Sequence, residues 1–276
     1  MKFKNKTALV TGATRGIGLA IAKSLAAKGC RLILPLYDDW PDASKALQEK
    51  LSCSKQKHIF IQTDLRNRND VNTMVSIIQE KVGSLDILIN NIERGGMPVV
   101  HGSYNQEINR DQWQLELDTT LLAKKLIFEA CLPLLKEAEQ ASVINISSIA
   151  GLTGRTGPAG LLFSDGYAAA NRGIASFTEN WARIGAPSVR VNELMVGLID
   201  TRHGKKTRGW QTLTSKQKKQ LLGHTLLGRT GTPKEVVKTV HFLISNADYI
   251  TGTVIRVDGG FVLGGEEVPP MPDGII

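Results

Sequence analysis

Short apolar runs alternate along this chain with stretches in which apolar residues recur three and four positions apart. The runs Ala8-Leu9-Val10, Arg31 to Leu36, His58 to Gln62, Leu85 to Asn91, Ser142 to Ile146, the run opening at Val189, and Val254 to Val257 read as strands, the first of them buried. Helical spacing falls between them. Ile17, Ala20, Ile21, Ser24 and Leu25 share a face, as do Val71, Met74, Val75 and Ile78. Further helices are predicted near 43–51, over about 111–138 with a kink at Pro133, from Tyr167 to about Ile184, and from Lys234 to Ile244 after the start signal Thr232-Pro233. Strands alternating with helices predict βαβ units, hence an α/β fold whose parallel sheet is covered on both faces. Residues 92–110 and 150–166 read as loops, 200–226 as irregular with some helix, and 261–276 as an extended tail. No linker or internal repeat interrupts the pattern, so residues 1–276 are expected to form a single domain.

The first strand runs into Thr11-Gly12-Ala13-Thr14-Arg15-Gly16-Ile17-Gly18, and a helix follows at once. A glycine-rich turn at a helix N-terminus aims unpaired N–H groups and the positive end of the helix dipole at one point, which suits a phosphate. In that role Gly12 permits the tight turn, Gly16 lets the backbone approach a pyrophosphate, and Gly18 lets the helix lie close to the sheet. The spacing is Gly-x-x-x-Gly-x-Gly, not the commoner dinucleotide fingerprint.

Composition narrows the picture. Apolar and charged fractions of 42% and 22% are ordinary for a soluble globular protein. No apolar run approaches the roughly 20 residues of a membrane span, and the basic start carries no apolar signal region, so a cytoplasmic protein is expected. Cys30, Cys53 and Cys131 are read as buried free thiols, with no metal spacing and no disulfide framework. The net charge of +8 suits anionic ligands, but no nucleic-acid module pattern accompanies it.

Several motifs then stand in a familiar order: Thr11-Gly12 to Gly18, Asp64, Asp86 to Asn91, Asn145-Ile146-Ser147-Ser148, Tyr167, Gly197 to Thr201, and Ile250-Thr251-Gly252 through Val257-Asp258-Gly259-Gly260. Over residues 5–262 the chain resembles the short-chain dehydrogenase/reductase family, nearest its β-oxoacyl-carrier-protein reductase branch. The resemblance implies a Rossmann-type, doubly wound sheet of seven parallel strands in three α/β/α layers. It also implies a nicotinamide dinucleotide at the carboxyl ends of the strands and assembly as a homodimer or homotetramer. Carried over by position, Gly12, Thr14, Arg15, Gly16, Ile17 and Gly18 form the pyrophosphate turn. Asp64 and Leu65 meet the adenine. Asn91 and Ile92 pass the adenosine ribose. Gly197 belongs to the matching motif, in which Ile199 meets the carboxamide through its backbone and Thr201 offers a hydroxyl. Members using NAD often end strand two on an acid. Here Leu36 and Tyr37 stand there, and Arg15 could pair with a 2′-phosphate, so NADP(H) is expected over NAD(H). Asp38 and Asp39 nearby could oppose that phosphate.

Carbonyl reduction needs a proton donor at the developing alkoxide, and a tyrosine serves when a nearby ammonium favours its phenolate. The family uses Asn, Ser, Tyr and Lys, the last two four apart on one helix face. Tyr167 and Ser148 match. Asn171 stands where the lysine belongs, able to bond a ribose hydroxyl but carrying no charge. Thr120, seven beyond Trp113, replaces the asparagine. The family's Asn-Asn-Ala-Gly reads Asn90-Asn91-Ile92-Glu93, which adds bulk and charge near the expected cofactor. Lys124, four beyond Thr120, is one candidate replacement cation, although that helix face packs against a neighbouring subunit in the family. His101 and Tyr104 are alternative donors.

Two functional readings therefore stay open. One is an NAD(P)H-dependent oxidoreductase with Tyr167 as acid/base, Ser148 holding substrate and Asn171 positioning ribose. Its substrate is a small molecule or thioester, since Arg202, His203, Lys205, Lys206, Arg208, Lys216, Lys218 and Lys219 fall in the family's mobile lid and suit an acidic carrier or a phosphate. The other is a catalytically deficient nucleotide-binding subunit or sensor that pairs with an active relative. No metal, nucleic acid or membrane is expected in either.

Overall fold

A computed structural model describes residues 3–37, 41–52, 56–94, 102–201, 208–272 and 274. Asp38, Asp39, Cys53, His101, Arg202, His203, Lys205 and Lys206 lie outside the described residues.

The strands are β1 (Thr7–Val10), β2 (Arg31–Leu36), β3 (Ile59–Gln62), β4 (Ile87–Asn90), β5 (Ala141–Ser148), β6 (Val189–Val196) and β7 (Val254–Val257). All pair in parallel, in the order β3-β2-β1-β4-β5-β6-β7. The chain winds outward from β1 in one direction and, after crossing back, outward from β4 in the other. The carboxyl ends of β1 and β4 therefore diverge and leave a crevice where loops can hold a ligand.

Strand alternation decides which helix lies on which face. Ala8 and Val10 point to a core built with α1 (Gly16–Ala27), α2 (Pro41–Ser52) and α10 (Pro233–Ser245), through Ile21, Leu25, Leu47, Val240 and Leu243. Leu9 points the other way. It meets α3 (Arg68–Lys81), α5 (Ala123–Lys136) and α7 (Asp165–Gly185), through Met74, Ile78, Ile127, Leu134 and Trp181. Covering both faces explains why the inner strands β1 and β4 are buried along their whole length rather than alternating, whereas the edge strand β7 is partly exposed.

Local chemistry sets the helix ends. Asn67 caps α3 by accepting from Asn69 N and Asp70 N. Thr232 and Glu235 form a reciprocal capping box on α10, with Pro233 at its first position. Gly29, at φ +88°, turns the chain out of α1 towards β2.

Four segments differ from the sequence reading. The long helix is α4 (Gln112–Leu117), a π-helical turn over Asp118–Leu122, and α5. A π turn only shifts the phase of the apolar spacing by one residue without breaking the helix, so the stretch is easily read as one continuous helix. Strand β5 runs two residues further, to Ser148, paired with β6 as far as Val196. The stretch 150–166 folds into α6 (Ala150–Thr153) and a 3-10 turn at Gly157–Leu161. Ala159, Leu162 and Phe163 there join Tyr167, Met195 and Phe261 in a third apolar cluster. That cluster also orders the start of the tail, where Phe261–Leu263 is a 3-10 turn. The remaining helices, α8 (Arg208–Thr212) and α9 (Ser215–His224), follow β6. Cys30 and Cys131 are buried free thiols, each pushed up to about 12, mainly by burial.

Candidate active site

The glycine turn is held by backbone geometry and neutral hydrogen bonds. Gly12 and Gly16 adopt φ +62° and +58°, which suits residues without a Cβ. Thr11 Oγ1 accepts from Asn91 N at 2.9 Å and Ile92 N at 3.0 Å. The Asn91 amide donates to Thr11 O at 3.3 Å and Gly12 O at 3.2 Å. A Cβ on Gly18 would overlap Gly12 O and come within 2.5 Å of Asn91 Nδ2, so helix α1 can lie this close only with glycine. The Arg15 side chain does not cap α1, and the first helical turn holds no acidic residue. Thr14 and Ile17 are half-buried beside it, and Ile17 packs on the first core. This cradle fits a phosphate.

Gly197, Ile199 and Thr201 close the cradle's other side. A Cβ on Gly197 would sit 2.7 Å from Asp258 Cα, so β6 leaves the sheet against the end of β7. Ile199 is buried and bridges to Gly231. Its carbonyl accepts from Thr201 N at 2.7 Å. The Thr201 side chain faces Gly16, 3.6 Å from where a Cβ would stand.

At the β2–β3 end, Asp64 accepts from Arg66 Nε at 2.9 Å and Nη2 at 2.8 Å. These bonds hold the Asp64 carboxyl below its usual range. Arg66 Nη2 also donates to Tyr37 Oη at 2.9 Å, and the guanidinium lies 5.1 Å from the ring centroid. Leu65 is buried in the second core. Arg66 was missed by the sequence reading, although a basic residue two after Asp64 is a local pairing signal.

At the centre, Tyr167, Ser148 and Asn171 are brought together. Ser164 caps α7 by accepting from Tyr167 N at 3.4 Å. Asn171 is turned inward: its Oδ1 accepts from Ser148 N at 2.9 Å and its Nδ2 donates to Tyr167 O at 2.9 Å. The Oδ1 end thus ties α7 to β5, while the Nδ2 end is held within α7 itself. Ser148 Oγ accepts from Ala150 N at 3.2 Å.

The Tyr167 hydroxyl donates to Glu93 Oε2 at 2.6 Å. The crowding expected from Ile92-Glu93 is resolved by divergence: Ile92 packs on the second core, and Glu93 reaches Tyr167. Thr120, in the π turn, accepts from Arg94 N at 3.0 Å and donates to Arg94 O at 3.3 Å. Lys124 does not face outward. It is 1% exposed, and its ammonium donates to Ile92 O and, at 3.1 Å, to Thr120 O. Burial pulls it down from 10.5 to about 8, against the pull of Glu93 and Glu193. Glu193 on β6 is fully buried, accepts from Ser147 Oγ, and is pushed up by burial against the opposing effects of Ser147, Lys124 and Arg172. Tyr104 sits elsewhere, donating to Glu116 at 2.6 Å and accepting from Gly166 N at 3.0 Å. Burial and the Glu116 bond push it up to about 12.

The pairing of Glu93 with Tyr167 was not foreseen, and Lys124 was weighed as a replacement cation without its carbonyl partners. The available signals were a charged residue in a motif that otherwise ends on Ala-Gly, and the four-residue spacing from Thr120.

A sequence profile described as enoyl-(acyl carrier protein) reductase matches residues 12–262. The 3-oxoacyl-(acyl-carrier-protein) reductase of Chlamydia muridarum is 32% identical over 259 residues, covering 93% of this chain and 97% of its own. The corresponding reductase of Synechocystis is 30% identical over 94% of this chain and 97% of its own. A short-chain type dehydrogenase/reductase from Mycobacterium ulcerans shares the fold, with a TM-score of 0.80 and 22% identity over 96% of this chain and 92% of its own. The chain belongs to the short-chain dehydrogenase/reductase family. Among the described residues no helix is long and apolar enough to cross a membrane.

Proposed function

We propose that the chain is an oxidoreductase that reduces a carbonyl or oxidises an alcohol, with a 3-oxoacyl thioester as its favoured substrate class. The observation that carries this reading is the convergence of Tyr167 and Ser148 through Asn171 at the carboxyl end of β5. Tyr167 would give a proton to the substrate oxygen, and Ser148 would hold that oxygen. Asn171 keeps the two elements in register, so its service to a ribose would be indirect. The substrate class follows from the names of the two bacterial reductases above.

A nicotinamide dinucleotide supplies or accepts the hydride in this chemistry. Gly12, Thr14, Arg15, Gly16, Ile17 and Gly18 would hold its pyrophosphate. Asn91, Ile92, Gly197, Ile199 and Thr201 would flank it, and Asp64, Leu65 and Tyr37 would meet the adenosine. Arg15 is exposed at the turn and Arg66, although paired with Asp64, reaches Tyr37 at the end of β2, so both would be available to a 2′-phosphate. NADP(H) is therefore preferred over NAD(H). A homo-oligomeric cytoplasmic enzyme is the corresponding assembly.

The test is fluorescence titration of the protein with NADPH and NADH beside Gly16→Trp, followed by a ketone and alcohol panel with Tyr167→Phe. Micromolar binding that Gly16→Trp abolishes, and turnover that falls about 10²-fold or more in Tyr167→Phe, are expected. The second reading, a nucleotide-binding subunit without its own turnover, is favoured by one observation: Glu93 already occupies the Tyr167 hydroxyl. Binding with no hydride transfer across the panel would select it.

A further inference from the structure

Lys124 is the least expected residue of this site. Taking an ammonium out of water costs several kcal/mol, so it persists only where partners hold it. Its two carbonyl partners both belong to the site's own walls. Ile92 immediately precedes Glu93, and Thr120 is the π-turn residue that holds Arg94. The charges that act on it come from two other elements: Glu93 after β4 and Glu193 on β6. Arg172 on α7 acts on Glu193 in turn, and neighbouring Lys125 is occupied outward by Glu129 at 2.6 Å. Glu93 then contacts the hydroxyl of Tyr167. The phenol bonds the carboxylate of Glu93, and the ammonium holds the carbonyl of the residue before it, in the one region where the family's usual cation is absent.

We propose that Glu93 is the group with which Tyr167 exchanges its proton, and that Lys124 is the positioning cation that balances Glu93 and fixes the Ile92–Glu93 backbone. This rests on the oxidoreductase reading. In the reducing direction a bound reduced nicotinamide would supply the hydride to the carbonyl carbon, with the carbonyl π pair moving to oxygen. The Tyr167 O–H bond breaks as its proton bonds to that oxygen. The Glu93 carboxylate takes a proton from water and hands it to the phenolate, which restores both the phenol and the carboxylate. In the oxidising direction each transfer reverses, and the proton leaves to water through Glu93. Glu93 is half-buried, so water can reload or unload it, whereas Lys124 is sealed and serves only as charge.

The experiment compares wild type, Glu93→Gln, Lys124→Met, Lys124→Arg and Tyr167→Phe as full chains, using NADPH and acetoacetyl-CoA. Infrared difference spectra need no turnover. The carboxylate stretch of Glu93, identified by subtracting Glu93→Gln, is expected to shift in Tyr167→Phe and in Lys124→Met. In kinetics, Glu93→Gln should lower kcat about 10²-fold while NADPH affinity stays within about twofold. The wild-type rate should fall as pH passes about 8, where Lys124 loses its charge. Lys124→Arg should push that fall out of range, because a guanidinium stays charged, and Lys124→Met should be slow and lack the fall. Thermal melts confirm that each variant is folded. Unchanged kcat in Glu93→Gln beside an inactive Tyr167→Phe overturns this inference and leaves the oxidoreductase reading standing. No hydride transfer by wild type, here or across the ketone and alcohol panel, sinks that reading instead. The infrared shifts still decide whether the three groups act as a unit, and their absence overturns the inference.

Discussion

The glycine turn and the catalytic corner lie on the same edge of the sheet but are built from different forces. The turn is steric and neutral: two glycines at positive φ, a third with no room for a methyl, and amide bonds from Asn91. The corner is electrostatic: Lys124, Glu193 and Glu93 arranged around Tyr167 and β5. A steric site tolerates almost no added atom and is indifferent to pH. A charged site accepts isosteric changes and responds to protons.

The largest effect should come from added volume at the turn. Gly18→Val would drive atoms into Gly12 O and Asn91 Nδ2. A loss of ~3 kcal/mol or more is expected in urea unfolding, with no NADPH binding. Retention of both would mean that α1 can slide on the sheet.

The corner should instead be exposed by pH. Folded Lys124 releases its proton near 8, the unfolded chain near 10.5. Between those values the unfolded state binds more protons, so stability rises with pH relative to Lys124→Met, by up to about 3 kcal/mol. Unfolding curves of both proteins at pH 7 and pH 10 measure the change, and parallel behaviour would contradict a buried ammonium. Glu193 has the opposite sign. Its carboxyl is pushed up from 4.5, so the folded state holds its proton more tightly and loses stability as pH rises through that window. Glu193→Gln should therefore gain on wild type as pH rises above the ordinary carboxylate range, as unfolding curves at acidic and neutral pH would show.

Smaller effects calibrate the contrast. Thr232→Ala removes the cap of α10, far from both regions, and should cost about 1 kcal/mol without altering nucleotide affinity. Arg66→Ala should weaken NADPH relative to NADH by only severalfold, because this guanidinium is solvent-screened. Equal loss for both nucleotides would move the 2′-phosphate preference away from the Arg66–Tyr37 pair.

The same contrast explains what could be read before the structure. Local rules fixed most of the frame: apolar runs gave the strands, and Thr232-Pro233 marked the start of α10 to within one residue. The glycine turn was legible because its requirements are contiguous in sequence. The π turn at Asp118–Leu122 was not, since one extra residue in a helix changes direction without changing composition. Lys124, four beyond buried Thr120, shares its side of the helix, but the sequence does not show that the ammonium would end on the Ile92 and Thr120 carbonyls. Glu93 and Tyr167 are 74 positions apart, so their contact depends on tertiary placement that no local pattern encodes. The stretch 150–166 shows the same limit, its glycines suggesting a loop while Leu162 and Phe163 were already committed to a core.

One consequence concerns repair. The obvious edit to this chain is to put a lysine back at position 171. Yet Asn171 is a clasp with both hands full, one on Ser148 N and the other on Tyr167 O. Asn171→Lys would strand a buried backbone N–H and bring a second ammonium into a neighbourhood that Lys124 already supplies. The missing cation is therefore not a blank waiting to be filled. It has been moved to another helix, and restoring the original wiring would require disconnecting Lys124 and Glu93 in the same stroke.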